Sequence, residues 1–397
     1  MDHTEQAILQ AIEAEQRTIL DFAEDVLLHP EPSDGEVRTA TEVAELFRGL
    51  GLSVQTGLSG TGVLARMGER RPCVVLIGEL DAVRCPGHPF ADSKTGAAHA
   101  CGHHAQLAAL VGAAIALTRP EIRAKLDGSL AFFAVPAEER GAGKCRLIAD
   151  GTFDGMDVAV THHTHFTPTG VDVLLGNMRC NGVIMKRITM QGKAAHAGGA
   201  PHEGINALSA ASLGMAALGY LRETFRDEDG VRVHGIVVEG GAAQNVVPER
   251  VVMEYGVRAN NSRALEDANG KVNRAFEAGA LAMGAKVEIQ DLFAYAPVPY
   301  APATAWQQEI AALVRPKEKV ALVRETDFHA ASTDVGDLCN EMPVVNFTTG
   351  GFSGMLHSVD YRMEDEDTAL LLPARLMALS AYRLLRDGAR EAMALLS

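Results

Sequence analysis

Positive charge and long apolar runs are scarce in this chain of 397 residues, and each shortage excludes a class of protein. Lys and Arg number 36 against 51 Asp and Glu, which gives a formal net charge of −15. An acidic chain is a poor partner for nucleic acid or for an anionic membrane surface, so neither is expected. No run reaches the roughly 18 uninterrupted apolar residues of a membrane span. The acidic N-terminal stretch also argues against a signal peptide.

Cysteine is sparse as well, with 6 residues in the whole chain. This number is too low for a disulfide framework, so reduced thiols in a cytoplasm are the simplest expectation. Apolar residues make up 47% and charged residues 22% of the chain, which is ordinary for a globular protein. The length suggests more than one domain.

Strand and helix patterns alternate through the first part of the chain. They predict an α/β fold in which helices cover a mostly parallel sheet. From about residue 185 the order becomes β-α-β-β-α-β, which is typical of a ferredoxin-like domain, and α/β character resumes near residue 295. The sequence therefore predicts a discontinuous catalytic domain, residues 1–184 plus 295–397, with a small α+β domain inserted over residues 185–294. Long single helices are predicted over residues 4–28 and 368–397.

The segment Ala98-His-Ala-Cys-Gly-His-His104 carries the strongest chemical signal. Side chains two positions apart diverge on a helix, but Cys101 and His103 can converge on a tight loop, which Gly102 would permit. The dipole of the apolar helix that follows would favour a thiolate at Cys101. Thiolate and imidazole are ligands of Zn²⁺ and similar metals. A buried structural cysteine beside surface histidines is the plain alternative.

Three further clusters of ligand-type residues follow predicted strands. They are Pro136-Ala-Glu-Glu-Arg140, Thr161-His-His-Thr-His165 and Gly350-Gly-Phe-Ser-Gly-Met-Leu-His357. Of two adjacent carboxylates, one can bind a metal while the other faces the substrate as a proton shuttle. If all four clusters follow strands of one parallel sheet, they lie at a common edge and can meet in space.

Taken together, the H-A-C-G-H, P-A-E-E, strand-end His and late L-H motifs resemble those of the dinuclear metal amidohydrolases. This family includes aminoacylase, hippurate hydrolase, carboxypeptidase G and aminobenzoyl-glutamate hydrolase, and the resemblance extends over nearly the whole chain. The stretch Gly78-Glu-Leu-Asp-Ala-Val83 is similar to the aminobenzoyl-glutamate hydrolase branch. The resemblance implies hydrolysis of a C–N bond, most simply the amide of an N-acyl or N-aroyl amino acid. It also implies two divalent ions per subunit, Zn²⁺ or Mn²⁺.

The resemblance further implies a role for each motif residue of the catalytic domain. Glu138 would act as general base and then general acid, and Asp81 would orient one of the metal-binding side chains. The metal ligands would be Cys101, His103, Glu139, His163 and His357.

For the inserted domain, the resemblance implies three functional side chains and a dimer interface. His196 of Gly192-Lys-Ala-Ala-His196 would help to stabilise an oxyanion. Asn245 and Arg258 would contact a small carboxylate-bearing substrate. The chain would form a homodimer through this domain, and His196 or Asn245 would serve the partner subunit's site.

Three positions depart from the usual family pattern, and they leave the substrate open. His104, Gln106 and Glu79 stand where other residue types are common. An alternative is therefore an aminohydrolase that acts on an aminoaromatic acid such as nitroanthranilate and releases ammonia. Two further alternatives are a thiol enzyme, with Cys101 as nucleophile and His103 or His104 as base, and a non-catalytic binding protein on the same scaffold.

Overall fold

Helices and strands alternate along most of the chain in the computed structural model, which describes residues 1–164 and 168–397. The helices are α1 (His3–Ala14), α2 (Gln16–Leu28), α3 (Val37–Gly49), α4 (His103–Leu117), α5 (Pro120–Arg123), α6 (Gly143–Ala149), α7 (Ala207–Leu221), α8 (Ser262–Met283), α9 (Ala305–Val314), α10 (Val335–Glu341), α11 (Leu372–Leu385) and α12 (Arg390–Leu396). The strands are β1 (Ser53–Leu58), β2 (Gly62–Met67), β3 (Cys73–Glu79), β4 (Val83–Arg84), β5 (Ala97–Ala98), β6 (Ser129–Val135), β7 (Val158–Thr164), β8 (Val173–Leu175), β9 (Arg179–Cys180), β10 (Gly182–Gln191), β11 (Arg232–Glu239), β12 (Arg250–Ala259), β13 (Lys286–Tyr295), β14 (Val320–Leu322), β15 (Phe328–His329), β16 (Val344–Thr349), β17 (Phe352–Ser353) and β18 (Arg362–Met363).

These elements group into two compact units. The first consists of Met1–Met178, Pro299–Asp327 and Asp337–Ser397, and the second of Arg179–Val298 and Phe328–Gly336. The segment Phe328–Gly336 therefore groups with the second unit, through the pairing of β15 with β9. The sequence-based domain boundaries remain a prediction.

An eight-stranded sheet forms the centre of the first unit, in the order β1-β2-β6-β3-β7-β16-β8-β14. The four neighbouring strands β6, β3, β7 and β16 run parallel, and antiparallel pairs lie on either side of them. Every residue of β3 and β6 is buried, as expected for parallel strands covered on both faces. The predicted α/β fold with a mostly parallel sheet is confirmed.

Helix α4 is buried along its whole length and packs against α2, α11 and β3. A helix that is apolar all round belongs in a protein core. Gly112 allows the close approach, because a Cβ there would lie 2.8 Å from Ala374 Cβ and 3.0 Å from Ile19 Cδ1. This tight packing fixes the N-terminal end of α4, where Cys101 and His103 lie.

The two long terminal helices predicted from the sequence are each interrupted. The first breaks at Glu15, where φ is −107° and ψ is 15°, so α1 and α2 are separate. The second begins with a π-helical turn over Asp367–Leu371. It then breaks between α11 and α12, because Asp387, Gly388 and Ala389 all have positive φ. Hydrophobic periodicity continues across both breaks, which is why the pattern alone does not reveal them.

One helical stretch, Asp367–Leu385, is long and apolar enough to cross a membrane by length and composition alone. In this structure 94% of its apolar window is buried inside the protein. The same apolar character is what a helix packed in a protein core requires.

The second unit has the predicted ferredoxin-like element order. Strands β11, β12, β10 and β13 form, in that order, an antiparallel sheet. Helices α7 and α8 pack against each other and against this sheet. Their N-termini are capped by Asn206 and Asn261, whose side chains accept backbone N–H groups of the first turn. The predicted α+β class of the inserted region is confirmed.

Candidate functional site

Cys101 and His103 flank a glycine at the N-terminal end of α4. Gly102 has a φ of +83°, in the left-handed region that favours glycine. A Cβ at this position would overlap Thr164 Oγ1 and would lie 2.8 Å from Tyr361 OH. The turn therefore requires glycine, and the predicted convergence of Cys101 and His103 depends on it.

The other candidate ligands come from three loops and strand ends of the same unit. Glu139 follows β6, His163 lies near the end of β7, and His357 follows β17 with a φ of +62°. The expectation that the cysteine segment also follows a strand of the main sheet is wrong. That segment follows β5, which pairs with β4 in a separate two-stranded sheet. His165, the last residue of the Thr161–His165 motif, lies outside the described residues.

The ligand atoms of the five predicted metal-binding residues lie close together. Cys101 Sγ is 3.7 Å from His163 Nε2 and 3.3 Å from His357 Nε2. Glu139 Oε1 is 3.4 Å from His357 Nε2 and 3.9 Å from His103 Nε2. Cys101, His103 and His163 form one group, and Cys101, Glu139 and His357 form a second. Within each group the ligand atoms all lie within 4.8 Å of one another.

Hydrogen bonds on the far side of two imidazole rings direct their other nitrogens into this cluster. His103 Nδ1 donates to the Asp81 carbonyl oxygen at 2.7 Å, and His163 Nδ1 donates to the Thr164 carbonyl oxygen at 2.7 Å. Because a carbonyl oxygen only accepts, Nδ1 carries a proton in both rings, so Nε2 is the nitrogen that each ring can offer to a metal. Bonds of this kind orient metal-binding histidines.

Asp81 connects the loops on which the candidate ligands lie. Its carboxylate accepts the backbone N–H groups of Glu138 at 3.2 Å and Glu139 at 2.9 Å, and the Ser33 hydroxyl at 2.6 Å. Burial opposes its negative charge, but the hydrogen bonds from His103 and Ser33 outweigh burial and lower the pKa of Asp81. This agrees with the predicted orienting role, because Asp81 holds both His103 and the Glu138–Glu139 backbone in place.

A second buried carboxylate, Glu36, supports the same loop and is absent from the sequence-based site. Glu36 Oε1 accepts the backbone N–H of Ala137 at 2.8 Å, and Glu36 Oε2 accepts the Thr61 hydroxyl at 2.8 Å. Ala137 has a φ of +55°, an uncommon conformation for a residue with a side chain. The bond from Glu36 therefore stabilises the strained turn that presents Glu138.

Glu79 belongs to this cluster, although the sequence indicated only that it departs from the usual family pattern and predicted no role for it in the site. With His103 and Glu138 it forms a third group of ligand atoms within 4.8 Å. Glu79 is buried and bonds to Lys144 Nζ at 2.5 Å and Gln106 Nε2 at 2.8 Å. Burial favours the neutral acid, but Lys144 and His103 outweigh it and lower the pKa of Glu79 to about 2. Its position at the end of β3, two residues before Asp81, is the signal that could have identified it.

Two buried polar atoms of the cluster indicate that these residues could bind a cation. Within the described residues, His103 Nε2 and Glu139 Oε1 are buried without a hydrogen-bond partner. His103 Nε2 lies 3.1 Å from Glu79 Oε2, near enough for an ion pair but not aligned for a hydrogen bond. Unpaired buried polar atoms are costly, and a cation would satisfy both. The thiol and imidazole donors suit Zn²⁺, and the carboxylate is a ligand that Mn²⁺ also accepts.

The surroundings of Cys101 affect the protonation of its thiol. Burial raises the pKa of its thiol well above the ordinary value, and the Glu139 carboxylate adds to this effect. Burial and Glu139 thus oppose the thiolate that the dipole of α4 favours, and the thiolate remains a prediction. A thiolate here requires a positive charge close by, which a bound divalent ion would supply.

Behind the cluster, two further histidines are buried without partners. Within the part of the chain that the structure describes, neither ring nitrogen of His99 or His104 has a hydrogen-bond partner. Their ring centroids are 5.5 Å apart. Burial, and then the neighbouring His103, lowers the pKa of His104 to about 3. His104 is therefore a weak base, which disfavours its use as the base of a thiol enzyme.

Two of the three predicted functional residues of the second unit, His196 and Asn245, lie on backbone segments that are adjacent in space. His196 pairs with Val246 in an isolated bridge, and the next residue, Ala197, donates its N–H to the Asn245 carbonyl oxygen at 2.9 Å. His196 Nδ1 accepts the N–H of Gly199 at 3.0 Å. The proton of the neutral ring therefore lies on Nε2, which is free to donate to a ligand.

Arg258, the third predicted residue of this unit, lies on β12. Its Nη1 donates to the Ser332 hydroxyl at 2.8 Å, and its Nε lies 3.5 Å from His234 Nε2. Ser332 belongs to the segment Phe328–Gly336, which the sequence did not predict to join this unit. The functional roles of His196, Asn245 and Arg258 remain predictions.

Comparison with known sequences gives a consistent result. Residues 75–378 match the model of peptidase family M20/M25/M40. The chain is 29% identical over 288 residues to one of the subunits of p-aminobenzoyl-glutamate hydrolase from Escherichia coli, covering 70% of this chain and 58% of that protein. It is 32% identical over 247 residues to N-acetyl-L-cysteine deacetylase of Bacillus subtilis, covering 59% and 57%. The chain thus matches little more than half of the length of these relatives.

Solved structures show the same fold. An aminobenzoyl-glutamate utilization protein from Klebsiella pneumoniae superposes with a TM-score of 0.73 at 20% identity, covering 96% of this chain and 99% of that one. A dinuclear metal binding peptidase of the M20 family from Bacillus subtilis superposes with a TM-score of 0.69 at 22% identity, covering 94% and 99%. With the family model matching more than half of its residues, this chain belongs to peptidase family M20/M25/M40.

Proposed function

We propose that this chain is a metal-dependent hydrolase of C–N bonds, and that its substrate is the amide of an N-acyl or N-aroyl amino acid. The proposal rests chiefly on one observation, the convergence of Cys101, His103, Glu139, His163 and His357 in overlapping groups with ligand atoms within 4.8 Å. These side chains would hold two divalent ions, Zn²⁺ or Mn²⁺. When bound, such ions acidify a water molecule and polarise a carbonyl group.

The protein's own contribution to catalysis would be proton transfer by Glu138. Its carboxylate belongs to the group that also contains Glu79 and His103, and Asp81 and Glu36 fix the backbone around it. Glu138 would take a proton from the attacking water and return it to the leaving nitrogen. Because Glu79 is held ionised by Lys144, it would not serve as the proton carrier at neutral pH.

The remaining roles follow the family resemblance. His196 would donate a hydrogen bond from Nε2 to the developing oxyanion, and such a donor is typically worth roughly 3 kcal/mol. Asn245 and Arg258 would bind a substrate carboxylate. We also propose a homodimer formed through the inserted domain, and a cytoplasmic location, which agrees with the small number of cysteines in the chain, 6 in all.

A second candidate activity uses the same residues on another bond. An aminohydrolase of an aminoaromatic acid, such as nitroanthranilate, would release ammonia directly from the ring. The buried Glu79–Gln106 pair favours this candidate, because both residues depart from the usual pattern and Glu79 lies beside His103. A non-catalytic binding role is disfavoured by the complete set of ligand and base side chains.

The experiment is a product screen of the metal-reconstituted full chain, with Glu138→Gln as the test variant and Glu69→Gln, on the exposed surface, as its control. N-acyl and N-aroyl amino acids would be offered beside aminobenzoates, with free ammonia scored separately. Glu138→Gln should retain metal and lose turnover by roughly a hundredfold or more. Ammonia from aminoarenes alone would favour the second candidate, and full activity of Glu138→Gln would contradict the assigned base.

A further inference from the structure

A small cavity of about 270 Å³ lies beside the metal-ligand cluster, within the first unit. Its lining includes Ser33, Asp34, Arg84, Thr95, Glu139 and Arg140. Glu139 belongs to both features, since its Oε1 atom is 3.4 Å from His357 Nε2. A group bound in this cavity would therefore be separated from the candidate reaction centre by a single side chain.

Two carboxylates and two guanidinium groups line the cavity, and both carboxylates have other partners. Asp34 already accepts Arg146 Nη2 at 2.6 Å, and Glu139 is a proposed metal ligand. Arg84 and Arg140 are exposed, and within the described residues neither forms an ion pair. Two guanidinium groups therefore remain without a counter-charge beside the cluster, in a chain whose net charge is −15.

Hydrogen-bonding capacity points to the same ligand chemistry. The Ser33 hydroxyl donates to Asp81 at 2.6 Å, and the Thr95 hydroxyl donates to Asp92 at 2.7 Å. Both hydroxyl groups of the cavity lining thus already donate a hydrogen bond within the protein. The guanidinium groups of Arg84 and Arg140 supply the N–H donors that remain for a ligand. A guanidinium presents a planar pair of N–H groups that matches a carboxylate.

The backbone that carries the two arginines is held in place. Arg84 lies on β4, which pairs with β5, and the N–H of the following residue, Cys85, donates to the Gly96 carbonyl oxygen at 2.8 Å. Arg140 follows Glu139, whose N–H is bound by Asp81 at 2.9 Å. The cavity is thus bounded by fixed backbone. Its volume is just below the range of roughly 300–1,000 Å³ that is typical of sites for drug-sized ligands, so it suits only a small group.

We propose that this arginine cavity, defined by Arg84 and Arg140, binds a carboxylate of the substrate. The inference rests on the proposed hydrolase function and narrows its substrate class. The substrate would be a compact acid whose carboxylate lies only a few bonds from the C–N bond that breaks, rather than a long peptide. Its two arginines are different residues from Arg258, the carboxylate ligand proposed in the second unit.

The test measures binding of a paired series of ligands to the metal-loaded full chain by calorimetry. Benzoate provides one carboxylate, and phthalate, isophthalate and terephthalate add a second at increasing distance. At least one dicarboxylate should bind about tenfold or more tightly than benzoate, because charge-assisted hydrogen bonds are strong. Arg84→Gln and Arg140→Gln should each reduce that preference, and the double variant should abolish it.

Three controls make the result decisive. Arg123→Gln, an exposed arginine of α5, should retain the preference. Loss of the preference in Arg258→Gln but not in the two cavity variants would overturn the proposal, as would the absence of any preference in the unmodified chain. Tighter binding of inorganic phosphate than of every dicarboxylate would overturn the assignment to a carboxylate.

Failure of this proposal can be distinguished from failure of the proposed function. Metal content and C–N hydrolysis would be measured on the same preparations. An arginine-dependent preference in a chain that hydrolyses no C–N bond would contradict the hydrolase and support the cavity. Hydrolysis that needs neither arginine, with no dicarboxylate preference, would contradict the cavity alone.

Discussion

Gly102 separates the two candidate ligands Cys101 and His103, and it has no room for a side chain. We expect Gly102→Ala to destabilise the fold through two effects. The left-handed backbone conformation costs about 1–2 kcal/mol for a residue with a Cβ, and the overlap with Thr164 and Tyr361 adds about 1–3 kcal/mol of overpacking. Urea unfolding measures the sum.

Gly155 provides the matched control for this substitution. It has a φ of +80°, close to that of Gly102, and nothing lies within 4 Å of the position of its Cβ. Gly155→Ala should therefore show only the backbone cost. Equal losses of stability in the two variants would contradict the close packing around Gly102.

Asp81 holds both His103 and the Glu138–Glu139 backbone in position. Asp81→Asn keeps the shape but replaces one acceptor oxygen by a donor, so it cannot accept from Ser33 and from both Glu138 and Glu139. We expect metal affinity to fall by roughly 10–100-fold, as for other partners of metal ligands. Dialysis against a metal buffer, followed by metal analysis, measures this.

Ser33→Ala is the control for Asp81, since it removes only the 2.6 Å hydroxyl bond. It should leave metal affinity within a fewfold of the unmodified chain. If Asp81→Asn retained full affinity, the inference that Asp81 positions the ligands would be wrong.

At the scale of a single helix, α3 contains a carboxylate whose charge opposes folding. Burial, and then the neighbouring Asp25, raises the pKa of Glu42 from 4.5 to about 7. Because the pKa of Glu42 is higher in the folded than in the unfolded chain, the protonated side chain stabilises the fold fully below about pH 4.5. This stabilisation is lost as the pH rises through about 7. Glu42→Gln should therefore raise the melting temperature at pH 8 and change it little at pH 4.

Glu45 lies farther along the same helix with an exposed side chain, so Glu45→Gln is the control. The melting-temperature shift of Glu42→Gln should depend on pH more strongly than that of Glu45→Gln. A Glu42→Gln shift that does not depend on pH would contradict the raised pKa.

The elements that could be predicted from the sequence are those with strong local signals. The runs Ser129–Val135 and Arg250–Ala259 each predict a strand with these bounds, and the structure has both, as β6 and β12. Helix α3 has no place in the sequence-based prediction, although its buried face is regular. The break at Glu15 leaves the apolar periodicity intact, so it becomes visible only through the backbone angles.

In the candidate site, too, residues in short motifs could be predicted from the sequence, whereas contacts between distant residues could not. Cys101, His103 and the Glu138–Glu139 pair lie in short motifs, so the sequence identifies them. The Glu79–Lys144 bond joins residues 65 positions apart, and no local pattern indicates it. The grouping of Phe328–Gly336 with the second unit depends on a two-residue strand pair, which is too short to produce a sequence signal.

At the scale of the whole molecule, strand β11 is exposed at one edge of the second unit's sheet. Ile236 is 64% and Val238 55% exposed on this strand. An apolar strand at a sheet edge is a template for pairing with another chain, so we expect the full chain to form a dimer of twice 42.2 kDa. Ile236→Glu should shift the mass measured by light scattering toward the monomer.

Leu281 is the control for this surface, because it is 83% exposed on α8 of the same unit. Leu281→Glu should leave the dimer intact. A monomeric unmodified chain would contradict the proposed interface, as would a dimer that tolerates Ile236→Glu but dissociates with Leu281→Glu.

The central claim, that five side chains of the first unit enclose a pair of divalent ions, is tested most directly by anomalous diffraction. Crystals of the full chain grown with Zn²⁺ or Mn²⁺ should show two anomalous peaks per chain, within bonding distance of Cys101, His103, Glu139, His163 and His357. A map without a peak between these side chains, or with its peaks only on the protein surface, would contradict the account.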